Sequence, residues 1–181
     1  MEEVKSDKPE EKKRDSKKEI FDRQERIEFW DQKKVENAIC LVLGVGGLGC
    51  NVAMGLCRLG VKKLYLIDND KVDPSNLSRQ NLFSLQDIGK RKTEAAKDCL
   101  NQLHNVANTE IHTFDFCALK NWPKIVELAK DCTVVFNMID ASEYFDLAVQ
   151  SLCLKLQIPM ISGGNNSLNS FLRHVFTSDH S

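Results

Sequence analysis

The chain has 181 residues, 42% of them hydrophobic, and a formal net charge of −1. That length suffices for one cored domain, and near-neutrality argues against nucleic acid or an anionic membrane surface as the main partner. No apolar run approaches the roughly 20 residues needed to span a bilayer, and the charged N-terminus does not resemble a secretory leader. Seven cysteines, without paired C-x-x-C spacing, read as buried reduced thiols rather than a zinc site or a disulfide framework. A cytoplasmic location, or a nuclear one, is the expectation.

Residues 1–19 are almost entirely Lys, Glu, Asp, Arg and Ser, so they read as a solvated, disordered tail. Residues 20–181 form the expected domain. Ile20, Phe21, Ile27, Phe29, Trp30 and Val35 are spaced for one or two short helices with an apolar side. A β-branched and aliphatic run, Ile39–Leu43, then ends in Gly44-Val45-Gly46-Gly47-Leu48-Gly49, and a helical pattern follows to about Leu59. Strand, tight glycine turn and helix start make the first unit of a nucleotide-binding fold, in which helix N-terminal N–H groups favour phosphate. Gly44 and Gly46 are expected to supply special backbone angles, and Gly49 close packing of helix on strand. Val52, Leu56 and Leu59 mark the predicted buried face of that helix, with Gly60 as its C-cap.

A second strand, Leu64–Ile67, runs into Asp68, about 20 residues beyond the last glycine, where this turn requires a carboxylate for ribose hydroxyls. A strand-end Asp by itself reads as no more than a cap or turn residue, and the glycine turn at this distance favours the ribose role. The polar loop to Gln86 is longer than an ordinary strand–helix connection. A helix is predicted over 89–103 with Lys90, Arg91 and Lys92 in its first turn, a placement that opposes the helix dipole unless an anion is held there. Strands follow at 110–114, 133–138 and 159–162, the last stopping at Gly163-Gly164. Helices are predicted at 123–130 and 142–156, and 171–176 reads as a last strand. Asp140 lies just past the fourth strand, at the sheet end where open parallel sheets bind ligands. The alternation implies an α/β fold with a doubly wound, mainly parallel sheet.

Four separated features carry a family resemblance: Phe21-Asp22-Arg23-Gln24, the glycine turn, Leu66-Ile67-Asp68-Asn69-Asp70 running on to Ser75-Asn76-Leu77-Ser78-Arg79-Gln80, and Gly89-Lys90-Arg91-Lys92. The sequence resembles the adenylating domains of ubiquitin-like-protein-activating enzymes and their bacterial relatives MoeB and ThiF, which have a Rossmann-like ThiF fold. The resemblance implies ATP-dependent adenylation of the C-terminal glycine of a ubiquitin-like or sulfur-carrier protein ending in Gly-Gly. It places Gly44, Gly46, Gly47, Gly49, Asp68, Asp70, Asn76, Arg79 and Lys92 at the nucleotide, with Asp68 on the ribose and Asn76, Arg79 and Lys92 on phosphates. It makes Arg23, Arg79 and Lys92 catalytic, with Arg23 reaching a neighbouring protomer of a homodimer or a related heterodimer. Asp140 is similar to the family's Mg²⁺-linked acid.

The chain departs from the family pattern at Ala141 and Phe145, where polar residues are usual, and in the segment 165–170 after the fifth strand. It is also short at its C-terminus, so thioester transfer by this chain alone is not expected, and Cys153 reads as a packing residue. A catalytically deficient nucleotide-binding partner of a full-length activating enzyme is therefore the alternative. An NAD-dependent oxidoreductase, which the glycine turn and Asp68 alone allow, is more distant.

Overall fold

The structure is a computed structural model that describes residues 19–140, 142–165 and 170–175. The expected tail therefore lies outside the described residues, apart from Glu19. The chain divides into two compact units, up to Gln32 and from Lys33 onward. The first holds a four-residue helix, α1 (Asp22–Glu25). The expected apolar side is not built there: Phe21 is buried, but Ile20, Ile27 and Phe29 are exposed. The short helix α2 (Gln32–Asn37) leads into the second unit.

The second unit contains β1 (Ile39–Leu43), α3 (Gly47–Leu59), β2 (Lys63–Ile67), α4 (Lys92–Cys99), β3 (Glu110–Phe114), α5 (Trp122–Ala129), β4 (Val134–Asn137), α6 (Glu143–Leu156), β5 (Met160–Asn165) and β6 (Ser170–Val175). The sheet order is β3-β2-β1-β4-β5-β6, with the first five strands parallel and β6 antiparallel to β5. This is the doubly wound Rossmann-like architecture. The chain moves outward from β1 through β2 to β3, then returns to β4 on the other side. That reversal opens a crevice beyond the carboxyl ends of β1 and β4. Leu43 pairs with Ile67 on one side and Asn137 on the other, so Gly44, Asp68 and Met138 emerge at the same level.

The central strand explains why its sequence is a continuous apolar run. Cys40 and Val42 face one core with Cys50, Ala53, Leu56 and Leu66, while Leu41 and Leu43 face the other with Ile125, Val149 and Met160. Both faces are covered, so alternation is lost. In α3 the buried face is Cys50, Ala53, Leu56 and Cys57, with Val52 and Leu59 at its margins. The helical period is as expected, but the face is rotated toward small residues because helix and strand approach closely. Gly60 closes α3 in the left-handed conformation, φ 77°.

Two boundaries differ from the sequence pattern. The helix predicted from 89 begins at Lys92, because Gly89 turns the chain at φ 86° and Val72 takes up 89–90 in backbone pairing. A π-helical segment, Leu100–His104, then completes it. Strand β5 does not stop at Gly163-Gly164 but runs through both, since β6 pairs Leu172 with Gly163 and Phe171 with Gly164. Among the described residues no helix is long and apolar enough to cross a membrane.

Candidate functional site

The glycine turn is shaped by contacts that exclude side chains at two positions. Gly44 has φ 87°, and a Cβ there would sit 2.9 Å from the Met138 carbonyl oxygen and 3.0 Å from Ile139. A Cβ on Gly49 would lie 1.9 Å from the Gly44 carbonyl oxygen, so this glycine sets the close fit of α3 on β1. Gly46, by contrast, has ordinary extended angles, φ −91° and ψ −153°. Its lack of a side chain leaves open space rather than permitting a special conformation, which corrects the expectation. Gly47 lies under the aliphatic stem of Arg79, 3.7 Å from where its Cβ would be.

Asp68 is half-buried and clamps this turn. One carboxylate oxygen accepts from the Val45 N–H and the other from the Asp70 N–H, both at 2.8 Å. Each carboxylate oxygen has more than one acceptor site, so capacity remains for ribose hydroxyls. The cap reading and the ribose reading of Asp68 are therefore compatible.

The long loop is not loose. Asp73 and Asn76 form a reciprocal cap around the 3₁₀ turn Pro74–Asn76, with the Asn76 side-chain oxygen accepting from the Asp73 N–H at 3.1 Å. That turn presents Arg79, whose guanidinium donates to the Ser75 carbonyl oxygen at 2.9 Å. Farther along, the Gly89 N–H donates to the Val72 carbonyl oxygen, the Val72 N–H to the Lys90 carbonyl oxygen, and the Lys92 N–H to the Asp70 carbonyl oxygen. This zipper brings Lys92 beside Asp70 although 22 positions separate them. The buried Lys92 ammonium reaches the exposed Asp70 carboxylate at 2.8 Å. A buried ammonium needs such a partner to offset its lost hydration. Lys90 and Arg91 point elsewhere, to Asp87 and Asp115. Of the three predicted first-turn cations, only Lys92 serves the site.

These groups surround a cleft of about 600 Å³, within the roughly 300–1,000 Å³ usual for small-molecule sites. Gly44, Gly46, Gly47, Asp68, Asp70, Arg79, Lys92 and Asp140 all line it. Two predicted ligands do not: Gly49 is committed to helix packing, and Asn76 to its loop cap. Asp140 is exposed at the mouth. Arg23 lies exposed on α1, in the N-terminal unit.

Sequence reasoning missed several lining residues. Phe116, Cys117, Ala118 and Leu119 form one wall. Their place beyond the carboxyl end of β3 was the available signal. Gln80 also lines the cleft; it stands inside the motif run, but its burial was not visible there. Cys117 departs from the buried-thiol expectation, as does the half-buried Cys99. The other five are buried, and burial pushes Cys40, Cys50, Cys57 and Cys132 up to about 12 and Cys153 to about 11. Cys153 is a core residue, as its position predicted. Phe145 is too: its ring meets Trp122 edge-on at 6.2 Å between centroids, so a core contact occupies this position. Ala141 lies outside the described residues.

The family model described as the ThiF family matches residues 21–181. The chain belongs to the ThiF family. It is 32% identical over 142 residues to the molybdopterin-synthase adenylyltransferase of Escherichia coli, covering 76% of this chain and 53% of that enzyme. It is 34% identical over 134 residues to SUMO-activating enzyme subunit 2 of Dictyostelium discoideum, covering 72% of this chain and 19% of the relative. Among solved structures, Escherichia coli MccB with ATP superposes with a TM-score of 0.66 at 28% identity, over 74% of this chain and 38% of MccB. The chain thus spans between about a fifth and about half of these relatives.

Proposed function

We propose that this domain adenylates the C-terminal glycine of a ubiquitin-like or sulfur-carrier protein, using ATP and releasing pyrophosphate. One observation carries the reading: Asp68, Arg79, Lys92 and Asp140 converge with the glycine turn on a single cleft at the sheet's reversal point. The adenylyltransferase and activating-enzyme relatives and the ATP complex of MccB support it.

In the proposed reaction a carboxylate oxygen of the carrier attacks the α-phosphorus, and the bond from that phosphorus to the bridging oxygen breaks. The electron pair leaves with pyrophosphate. Both partners are anions, so the protein's task is to neutralise and align them. Asp68 orients the ribose while keeping the turn shut. Lys92 exchanges Asp70 for phosphate oxygens, and Arg79 covers the phosphates from the loop. Asp140 is the residue that would hold Mg²⁺. Among the described residues no group of three or more His, Cys, Asp or Glu is gathered for a metal. One carboxylate fits Mg²⁺, which ordinarily takes its remaining ligands from phosphates and water. Bound there, the ion would supply positive charge to the phosphate oxygens.

Two parts of the reading lie outside this cleft. Arg23 is proposed to act on the phosphates of a neighbouring protomer, in a homodimer or a heterodimer with a related chain. A cytoplasmic location is proposed from the thiol-rich composition.

The Phe145 core contact favours one second reading, a nucleotide-binding partner that regulates a full-length activating enzyme. ATP–pyrophosphate exchange with a panel of ubiquitin-fold proteins ending in Gly-Gly separates the two. Exchange that depends on one carrier supports adenylation. Stabilisation by ATP with no exchange on any carrier overturns it in favour of the partner reading.

A further inference from the structure

Gln80 is held in place by its backbone, its N–H bonding the Asn76 carbonyl and its carbonyl accepting from the Phe83 N–H. The residue is 3% exposed, and among the described residues its Oε1 has no hydrogen-bond partner. Buried amides are ordinarily satisfied, and an orphaned one costs free energy in the ligand-free protein. The amide nevertheless lines the cleft, and its Nε2 lies 3.9 Å from where a Cβ on Gly46 would stand. Gly46 is the second glycine of the turn, the one that lets a backbone approach phosphates. The space beside it is unfilled by protein.

Resting on the ATP reading above, we propose that Gln80 is a phosphate-contact residue whose amide is completed only by bound nucleotide. Nε2–H donates to a phosphate oxygen above Gly46. Oε1 accepts from an O–H of the same complex, either a ribose hydroxyl or a water carried by the phosphates and their cation. The orphaned acceptor is then a cost of the free state that binding removes, so Gln80 rewards triphosphate occupancy over adenosine alone. It complements Arg79 and Lys92 without adding charge, which helps the cleft release an adenylate after pyrophosphate has gone.

The test is Gln80→Met, which keeps the side chain's length and removes both polar atoms, with Gln80→Leu as a second variant. Thermal unfolding and calorimetric binding are measured on the full chain with ATP, ADP, AMP and adenosine. The expected result is a paired change. The ligand-free midpoint rises by roughly 2–4 °C as the orphaned group disappears, while ATP affinity falls about tenfold, the scale of one hydrogen bond to a charged group. Adenosine lacks the phosphate contact and shares at most the Oε1 bond, so its affinity falls by less than that of ATP. Repeating the ATP titration with 2′-deoxy-ATP and 3′-deoxy-ATP, and with chelator, identifies the O–H source: the variant's deficit shrinks with whichever donor is removed, and what remains is the Nε2–phosphate contact. Equal loss for ATP and adenosine, or unchanged ATP affinity, overturns the proposal while leaving the adenylation reading standing. Failure of the unsubstituted protein to bind ATP at all overturns both.

Discussion

Replacing Asp68 with Ala removes more than the proposed nucleotide contact. Its carboxylate accepts two backbone N–H groups at 2.8 Å, one from the glycine turn at Val45 and one from the loop at Asp70. A hydrogen bond to a charged group contributes about 1.5–3 kcal/mol. Because Asp68 is only half-buried, the lower end applies, and the two together come to about 3 kcal/mol. For a chain of this size about 2–4 °C is lost per kcal/mol, so the ligand-free midpoint should fall by roughly 6–12 °C. Asp68→Asn should fall about half as far, since its amide oxygen satisfies one N–H while its NH₂ faces the other as a second donor. Thermal unfolding without nucleotide measures the clamp, and the further rise on adding ATP measures the site. A ligand-free midpoint unchanged in Asp68→Ala would refute the clamp. An undiminished rise with ATP would remove Asp68 from the nucleotide.

Gly49→Ala should destabilise by about 3 kcal/mol or more, since its Cβ meets a backbone oxygen at 1.9 Å; near-normal denaturant unfolding would refute the packing role. Phe145→Ala should cost about 3–5 kcal/mol, and Phe145→Arg should fail to yield a stable fold because a guanidinium would be buried without a partner; an active, stable Phe145→Arg would show the ring is dispensable. Burial raises the pKa of the five buried thiols in the folded chain to about 11 to 12, against an ordinary thiol value of 9.0. The unfolded chain therefore releases their protons first, so this contribution is whole below pH about 9 and is lost as pH rises toward about 12. Urea midpoints measured from pH 8 to 10.5 should fall, and a flat profile contradicts the burial. At neutral pH, rapid alkylation of the native protein should be confined to the half-buried Cys99 and Cys117. ATP should slow Cys117 alone, and equal labelling with and without ATP would place the nucleotide elsewhere.

Much of the fold was legible because its signals are local. An apolar run ending in spaced glycines allows few backbone paths, and β1 occupies Ile39–Leu43 as its composition implied. The distance from that turn to Asp68 follows from one helix and one strand of ordinary length, so a carboxylate there had to stand beside the glycines. Gly60 and the strand at Glu110–Phe114 were likewise written in neighbouring residues.

What only the tertiary structure decided depends on groups distant in sequence. Lys90, Arg91 and Lys92 are equivalent as a run of cations; the pairing of 70–72 with 89–92 buries Lys92 against Asp70 and sends the others to Asp87 and Asp115. Gly163 and Gly164 read as a strand end until an antiparallel β6 supplies them with partners. Gln80 looked like one more polar loop residue, and Cys117 like one more core thiol. Chain pattern determines which backbone is affordable locally, whereas burial and partnership are set by which surfaces the folded sheet brings together. The sequence therefore determined the glycine turn and its acid, and tertiary packing decided which side chains face the cleft it creates.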